Sequence, residues 1–192
     1  MKFEIKKITA PEKIRGGPLY EGVQLSQFLS ELIPVSEPPG ECIHIIITDR
    51  LFATWNDDDR RYHARVSIYN FPSIISTAGI VEAPAKPREF YIKLRMGFNR
   101  EGLKDEFSGR FIDYDDPRLT EVLKGYLLQA ILFHLQGEPF CLDPNCRLYN
   151  AHFQEEVLRA QLHSPYEFCP RHREILHLLN SDISTPPPFL VS

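Results

Sequence analysis

The sequence predicts an α/β protein, with α+β as the alternative, built from a mixed sheet early in the chain and helices that cover one side of it. Residues 42–55, CIHIIITDRLFATW, begin as a nearly continuous β-branched run, which is typical of a strand covered on both faces. Residues 61–71, RYHARVSIYNF, alternate apolar and polar side chains, and the polar turn 56–60 joins them to the first strand as a hairpin. Residues 113–138, DYDDPRLTEVLKGYLLQAILFHLQGE, are apolar around most of a helix, so this helix belongs in the centre of the domain.

Signals at both ends delimit this long helix. Asp116 can cap its free amides, Pro117 suits the first helical position, and Gly137 suits the exit, where a left-handed residue is common. We therefore expect a helix that begins near Asp116 and ends at Gly137.

Shorter elements are expected on either side of these three. Residues 23–33, VQLSQFLSELI, have apolar side chains at helical spacing. Residues 81–94, VEAPAKPREFYIKL, carry two prolines, so we expect an extended loop in their first half and a strand in their second half. Residues 151–163 and 169–180 have the pattern of two amphipathic helices.

Length and composition favour one globular domain. The 192 residues are 43% hydrophobic and 25% charged, which is ordinary for a folded protein. We expect residues 1–180 to form a single domain and the proline-rich residues 181–192 to be a tail that is ordered only where it docks.

Charge and hydropathy exclude several classes of partner. The net charge of −4 gives no support for a basic face that would bind nucleic acid, and no apolar run approaches the roughly 18 residues of a membrane span. The charged start, MKFEIKKITAPEKIRGG, lacks the apolar segment of a secretory signal, so a cytoplasmic protein is expected. The sequence leaves the oligomeric state, the substrate and the pathway open.

The four cysteines divide into one isolated residue and one group. Cys42 stands in the apolar strand, where a free cysteine is most often a small buried hydrophobic side chain. The other three lie between residues 141 and 169. In a cytosolic chain, such a group is more often a metal site than a set of disulfides.

The spacing within the group predicts a structural zinc site. Cys141 and Cys146 are separated by four residues, and Cys169 and His172 by two, so each pair can hold one side of a tetrahedral ion. The turn-forming sequence between the first two cysteines can direct both thiolates towards one point. Four protein ligands close the coordination shell, so this single Zn²⁺ would stabilise the fold and do no chemistry. Free cysteines or a chance pairing are the alternative.

Residues 130–148, AILFHLQGEPFCLDPNCRL, resemble the zinc-binding signature of the archaemetzincin family of metallopeptidases, H-E-x-x-H-x-x-G-x-x-H-C-x4-C-x-M. Gly137 stands at the signature's glycine, and TDRLFATW and RYHARV are similar to a group of uncharacterised archaeal proteins assigned as metallopeptidases. The resemblance implies a metzincin-like single domain with a long central helix and zinc-stapled carboxy-terminal helices. It also places five residues at family ligand positions, one of them in the catalytic set and four in the structural set: His134, Cys141, Cys146, Cys169 and His172.

The departures from the signature fall on the catalytic residues. Ala130 stands at the first zinc histidine, Ile131 at the general-base glutamate and Phe140 at the third histidine, while Leu148 replaces the methionine. A catalytic zinc needs three protein ligands and an open position for the water that the glutamate deprotonates. The resemblance therefore implies a pseudoenzyme that keeps the structural zinc.

Three hypotheses about function follow. The first is a non-proteolytic protein that binds a peptide or a partner protein in the ancestral cleft, meaning the groove where the catalytic zinc would lie. The second is an active metallopeptidase whose zinc site has moved. The third is a zinc-stabilised scaffold without a ligand. His134 alone reads most simply as a satisfied buried histidine, and the second hypothesis needs it to meet new partners, for which the candidates are Glu138, His152, Glu155 and Glu156.

Overall fold

The computed structural model describes residues 18–37 and 41–183, and this part of the chain has a mixed α/β fold. The predicted fold class is therefore confirmed. The elements of the described part are β1 (Tyr20–Glu21), α1 (Gly22–Ser30), β2 (Ile45–Thr48), β3 (Phe52–Asn56), β4 (Arg61–Arg65), β5 (Ser67–Ile68), β6 (Ser73–Ser76), α2 (Thr77–Glu82), α3 (Arg88–Arg95), α4 (Arg100–Glu106), α5 (Leu119–Gln136), α6 (Gln154–Leu162) and α7 (Pro170–Ile183).

The strands form two small mixed sheets rather than one. The first has the order β1-β3-β4, with β1 parallel and β4 antiparallel to β3. The second has the order β2-β6-β5, with β2 parallel and β5 antiparallel to β6. The apolar run 42–55 is therefore not one strand, because it breaks at residues 49–51 and contributes β2 to one sheet and β3 to the other.

The hairpin predicted around residues 56–60 is present. Strands β3 and β4 pair from Phe52 opposite Arg65 to Asn56 opposite Arg61. Arg60 adopts a positive φ of 53°, and the Asp58 amide donates to the Asn56 side chain, so the tight turn is closed by its own polar residues.

The strand predicted in the second half of residues 81–94 is wrong, because Arg88–Arg95 is helix α3. Phe90 is almost fully buried and Leu94, one helical turn later, packs against the same cluster. An i, i+4 apolar pair is a helical signal, and here it outweighed the β-branched and aromatic content of the segment. The remaining members of the cluster come from α4 and the loop after it: Leu103, Phe107 and Phe111.

Helix α5 is the centre of the described fold, as predicted. It packs against α2, α6 and β6, and its residues Val122, Tyr126 and Ala130 belong to the main buried cluster. Gly137 ends the helix with a φ of 76°, the left-handed conformation expected at this exit.

The start of α5 is later than predicted. Arg118, not Asp116, is the residue at the amino-terminal cap, and Pro117 lies in the preceding turn. The Asp116 carboxylate accepts from the Arg118 amide and guanidinium, which lowers the pKa of Asp116. Because this carboxylate is engaged two residues ahead, it closes a turn before the helix instead of capping it.

No helix in the described part of the chain combines the length and the apolar character that crossing a membrane requires. The predicted tail lies mostly in residues 184–192, which are outside the described residues, as are residues 1–17. The amino-terminal and tail predictions therefore stay predictions.

Candidate metal centre

The first ligand pair lies in the loop that follows α5. The Asp143 carbonyl accepts from the Cys146 amide at 3.0 Å, and the Asp143 side chain accepts from the Asn145 amide at 2.9 Å. These bonds fold the chain into a turn between the two cysteines. The Cys141 amide donates to the Leu148 carbonyl at 2.9 Å, so the loop closes on itself with both sulfurs on one side.

The second pair lies at the beginning of α7. Cys169 directly precedes the helix, His172 lies in its first turn, and the Cys169 carbonyl accepts from the Arg173 amide at 3.0 Å. The Arg147 amide donates to the Glu167 carbonyl at 2.9 Å, which joins the two ligand-bearing segments. The two pairs are therefore brought together by backbone bonds as well as by their own side chains.

The four ligand atoms of Cys141, Cys146, Cys169 and His172 lie within 4.8 Å of one another, and all four residues are buried. The Sγ atoms of Cys141 and Cys169 are 3.8 Å apart. The Nδ1 atom of His172 lies 3.7 Å from the Cys146 sulfur and 3.1 Å from the Cys169 sulfur. Tetrahedral zinc, with bonds of about 2.3 Å to sulfur and about 2.0 Å to nitrogen, requires about 3.8 Å between two sulfurs and about 3.5 Å between sulfur and nitrogen. The residues therefore fit a tetrahedral metal ion.

Burial controls the protonation of this group in the absence of a cation. It raises the pKa of the Cys141 thiol to about 12 and raises the pKa of Cys146 as well. Burial also lowers the pKa of His172, which keeps the imidazole neutral. Neutral imidazole is the form that binds metal, whereas all three cysteine thiols must be deprotonated to bind it, so metal binding here releases protons to the solvent.

Of the three positions at which the archaemetzincin signature has zinc histidines, the one occupied by Ala130 is fully buried and the other two are partly buried. Ala130 is 0% exposed within the main buried cluster. The Phe140 ring lies against the Tyr69 ring, with centroids 5.6 Å apart. His134 is half-buried, and its Nε2 lies 3.0 Å from the Ser73 hydroxyl. Burial and the neighbouring His44 lower the pKa of His134, so this imidazole is neutral and hydrogen-bonded.

The residues of the relocated-site hypothesis have separate partners. The Glu138 carboxylate accepts from the Phe140 amide, and the Glu155 carboxylate pairs with Arg110. The His152 amide donates to Glu156, which caps the start of α6. Two groups of at least three potential ligands have their atoms within 4.8 Å in the described part of the chain, and none of these residues belongs to either group.

The second of those groups is one that sequence reasoning missed. It consists of Glu37, Cys42 and His44, from the loop between α1 and β2. The prediction that Cys42 is buried is wrong, because the residue is exposed and precedes the strand instead of lying in it. The sequence contains one indication of this group, the spacing of Cys42 and His44, because residues two apart in an extended chain face the same side.

A cleft lies between β4 and the loop after α5, beside Phe140. Its volume is about 240 Å³, and one wall is the five-residue stretch 63–67 that includes the end of β4. Tyr126 and Phe140 line it, together with Asn150 and His152. A wall of consecutive residues indicates that the strand presents its edge to the cleft, because alternate side chains would otherwise point away.

These observations define an α/β protein with a buried three-cysteine, one-histidine group that could hold a metal ion. The chain belongs to a family described as "Probable metallopeptidase family (DUF6775)", whose sequence profile matches residues 1–179. Comparison with curated proteins gave no match. Comparison with solved structures gave no match either.

Proposed function

We propose that this protein is a zinc-stabilised, non-proteolytic relative of the archaemetzincins. The observation that supports the proposal is the convergence of Cys141, Cys146, Cys169 and His172 at distances suited to tetrahedral zinc. Four protein ligands leave no position for a reactive water, so the ion holds the loop after α5 against α7 and does no chemistry.

The packing of α5 supports the non-proteolytic part of the proposal. An alanine buried in the core and a phenylalanine against Tyr69 stand where two zinc histidines would be needed. One remaining histidine, bonded to Ser73, does not bind a catalytic ion by itself.

The cleft between β4 and Phe140 supports a binding role for an extended peptide. Strand β4 is at the end of its sheet, and within the described residues no strand pairs with its outer edge. A peptide laid along that edge can exchange backbone hydrogen bonds with β4 while an apolar side chain contacts Phe140. Asn150 and His152 also line the cleft and offer polar contacts that would select among peptides.

Membership in a metallopeptidase family favours a second candidate, an active peptidase with a catalytic metal away from the family position. The two candidates differ in their response to one assay. We expect the purified full-length protein, carrying about one tightly held zinc ion per chain, not to cleave an unfolded protein substrate or a fluorogenic peptide library. Hydrolysis that a chelator and His134→Ala both abolish, but that His177→Ala retains, would establish the second candidate.

The binding role is tested by selecting peptides from a display library on the wild-type protein. His152→Ala is expected to weaken the selected peptides, since His152 lines the cleft, while the exposed His177→Ala on α7 serves as the matched control. Failure to select any peptide, or equal affinity for both variants, would leave the zinc-stabilised scaffold as the function.

A further inference from the structure

A second cluster of metal-binding side chains lies outside the three-cysteine group. The ligand atoms of Glu37, Cys42 and His44 are within 4.8 Å of one another. The His44 Nε2 is 3.1 Å from a carboxylate oxygen of Glu37. The cluster combines one sulfur, one nitrogen and one oxygen donor, a mixture that suits zinc and similar divalent ions.

The fold holds His44 in place. Its carbonyl accepts from the Ser73 amide at 3.0 Å, which ties the start of β2 to the start of β6. Its ring meets the Phe71 ring edge-on at 5.5 Å, and only 18% of its side chain is exposed. Cys42 lies two residues earlier on the same side of the chain, so these two donors are preset by the backbone.

The His44 Nε2 atom lacks a well-aligned hydrogen bond. It is fully shielded from solvent, and no described group forms an aligned hydrogen bond with it, although the Glu37 oxygen is close. A buried nitrogen in this state is costly, and a cation shared with the carboxylate and the thiolate would satisfy it.

We propose that Glu37, Cys42 and His44 form a second metal site that binds an exchangeable divalent ion of the zinc class. Three protein ligands leave one coordination position open, unlike the closed shell of the three-cysteine group. Cys42 is exposed, so the ion can enter and leave without unfolding of the domain.

The surroundings of the site connect it to α5. Ser73 donates its amide to the His44 carbonyl, and its hydroxyl lies 3.0 Å from the Nε2 of His134. Ser73 therefore links the backbone of the proposed site to His134, the helix residue that the resemblance aligns with a zinc histidine. This inference does not depend on the three-cysteine site or on peptide binding, because it uses none of their residues.

Alkylation of Cys42 tests the proposal on the full-length protein as purified. Cys42 is exposed whereas the other three cysteines are buried, so iodoacetamide labels it selectively and peptide mapping identifies it. We expect added Zn²⁺ to slow this labelling by at least about tenfold, because a coordinated thiolate is not available as a nucleophile.

The variants separate a built site from a lone thiol. His44→Ala and Glu37→Gln are expected to weaken the apparent zinc affinity by at least about tenfold, since even loss of an outer-shell partner has effects of that size. Glu41→Gln removes a neighbouring exposed carboxylate and is expected to match the wild type. The proposal would be overturned if Zn²⁺ protected Cys42 equally in the wild type and all three variants, or if it gave no protection in the wild type.

A count of bound metal gives a second readout that does not use thiol chemistry. After equilibration with Zn²⁺ and gel filtration in low free zinc, the wild type should hold about one ion more than Cys42→Ser. Equal content in the two proteins, together with equal thermal unfolding curves, would also overturn the proposal.

Discussion

Gln154 shows how single buried polar residues hold the described fold together. Its side chain is fully buried at the start of α6. The side-chain oxygen accepts from the Ile112 amide at 2.9 Å, and the nitrogen donates to the carbonyls of Ile80 and Val81 at 2.8 and 3.2 Å. One amide thus bonds backbone groups from α2 and from the segment before α5, and of these the Val81 carbonyl also accepts from the Lys86 ammonium.

We expect Gln154→Leu to destabilise the protein although it preserves size and adds apolar surface. Each buried backbone group left unpaired costs about 1–3 kcal/mol, so the loss should reach at least about 2 kcal/mol. Urea unfolding at constant metal content measures the change. The exposed Gln136→Leu is the control, and an equally small loss in both variants would show that the network contributes little.

At the scale of elements, the contact between α5 and α6 depends on a glycine. A Cβ atom on Gly125 would lie 1.8 Å from the Gln161 side-chain oxygen, and Gln161 is itself buried and donates to the Arg147 carbonyl at 2.8 Å. The glycine therefore permits the two helices to approach each other while the Gln161 side chain bonds to the backbone of the loop after α5. Sequence alone marks Gly125 only as a poor helix former.

Gly125→Ala should lower stability by about 1–3 kcal/mol, because relief of the clash costs the Gln161 hydrogen bond or moves a helix. Gly102→Ala in α4 is the matched control, since nothing lies within 4 Å of its added methyl group. There the same substitution should raise stability by about 0.5–1 kcal/mol through helix propensity. Chemical denaturation distinguishes them, and the same sign in both proteins would contradict the packing explanation.

At this scale, the sequence predicts an element correctly when the residues that determine it are close together in the chain. The exit of α5 at Gly137 and the hairpin at residues 56–60 are determined by nearby residues, and both were predicted. The capping pattern puts the beginning of α5 too early, because Arg118 binds the Asp116 carboxylate and the pattern does not include this competition. The local pattern of α3 favours a strand, whereas its burial against α4 depends on residues beyond residue 94.

For the whole molecule, the candidate zinc site joins two parts of the chain that are otherwise separated by α6. Cys141 and Cys146 follow α5, whereas Cys169 and His172 open α7. An ion bound to all four closes this loop in the folded protein. Because the unfolded chain does not preform the site, the binding free energy adds to folding stability.

Zinc removal is therefore expected to lower the melting temperature strongly. A chelator should shift the calorimetric transition of the wild type, and restoring Zn²⁺ should reverse the shift. Cys146→Ser should already melt low and respond little to the chelator, whereas the exposed His177→Ala, outside both groups of potential ligands, should respond as the wild type does. An unchanged melting transition after verified loss of zinc would contradict the proposal that the ion stabilises the fold.

Stability in acid is a second property of the whole molecule. It depends on the ion pairs of Glu121, which join α5 to Arg147 in the loop that follows this helix. The Glu121 carboxylate accepts from Lys124 and from Arg147, which lowers the pKa of Glu121 from 4.5 to about 2. A depressed pKa contributes stability that is present above pH 4.5 and is lost as the pH falls towards 2.

Glu121→Gln should therefore be less stable than the wild type above pH 4.5 and approach it towards pH 2. Metal loss in acid affects both proteins, so the informative quantity is the difference between their unfolding free energies at each pH. The exposed Glu41→Gln should show no such convergence. A difference that stays constant with pH would exclude Glu121 as its source.

By itself, the sequence determined the fold class, the central helix and the four residues of the candidate zinc group, because turns, helix periods and ligand spacings are properties of short segments. Only the tertiary structure decided that residues 42–55 divide between two sheets, that Cys42 is exposed and that it meets Glu37 and His44. Burial and the approach of side chains depend on which elements pack together, and that depends on surface removed from water across the whole domain.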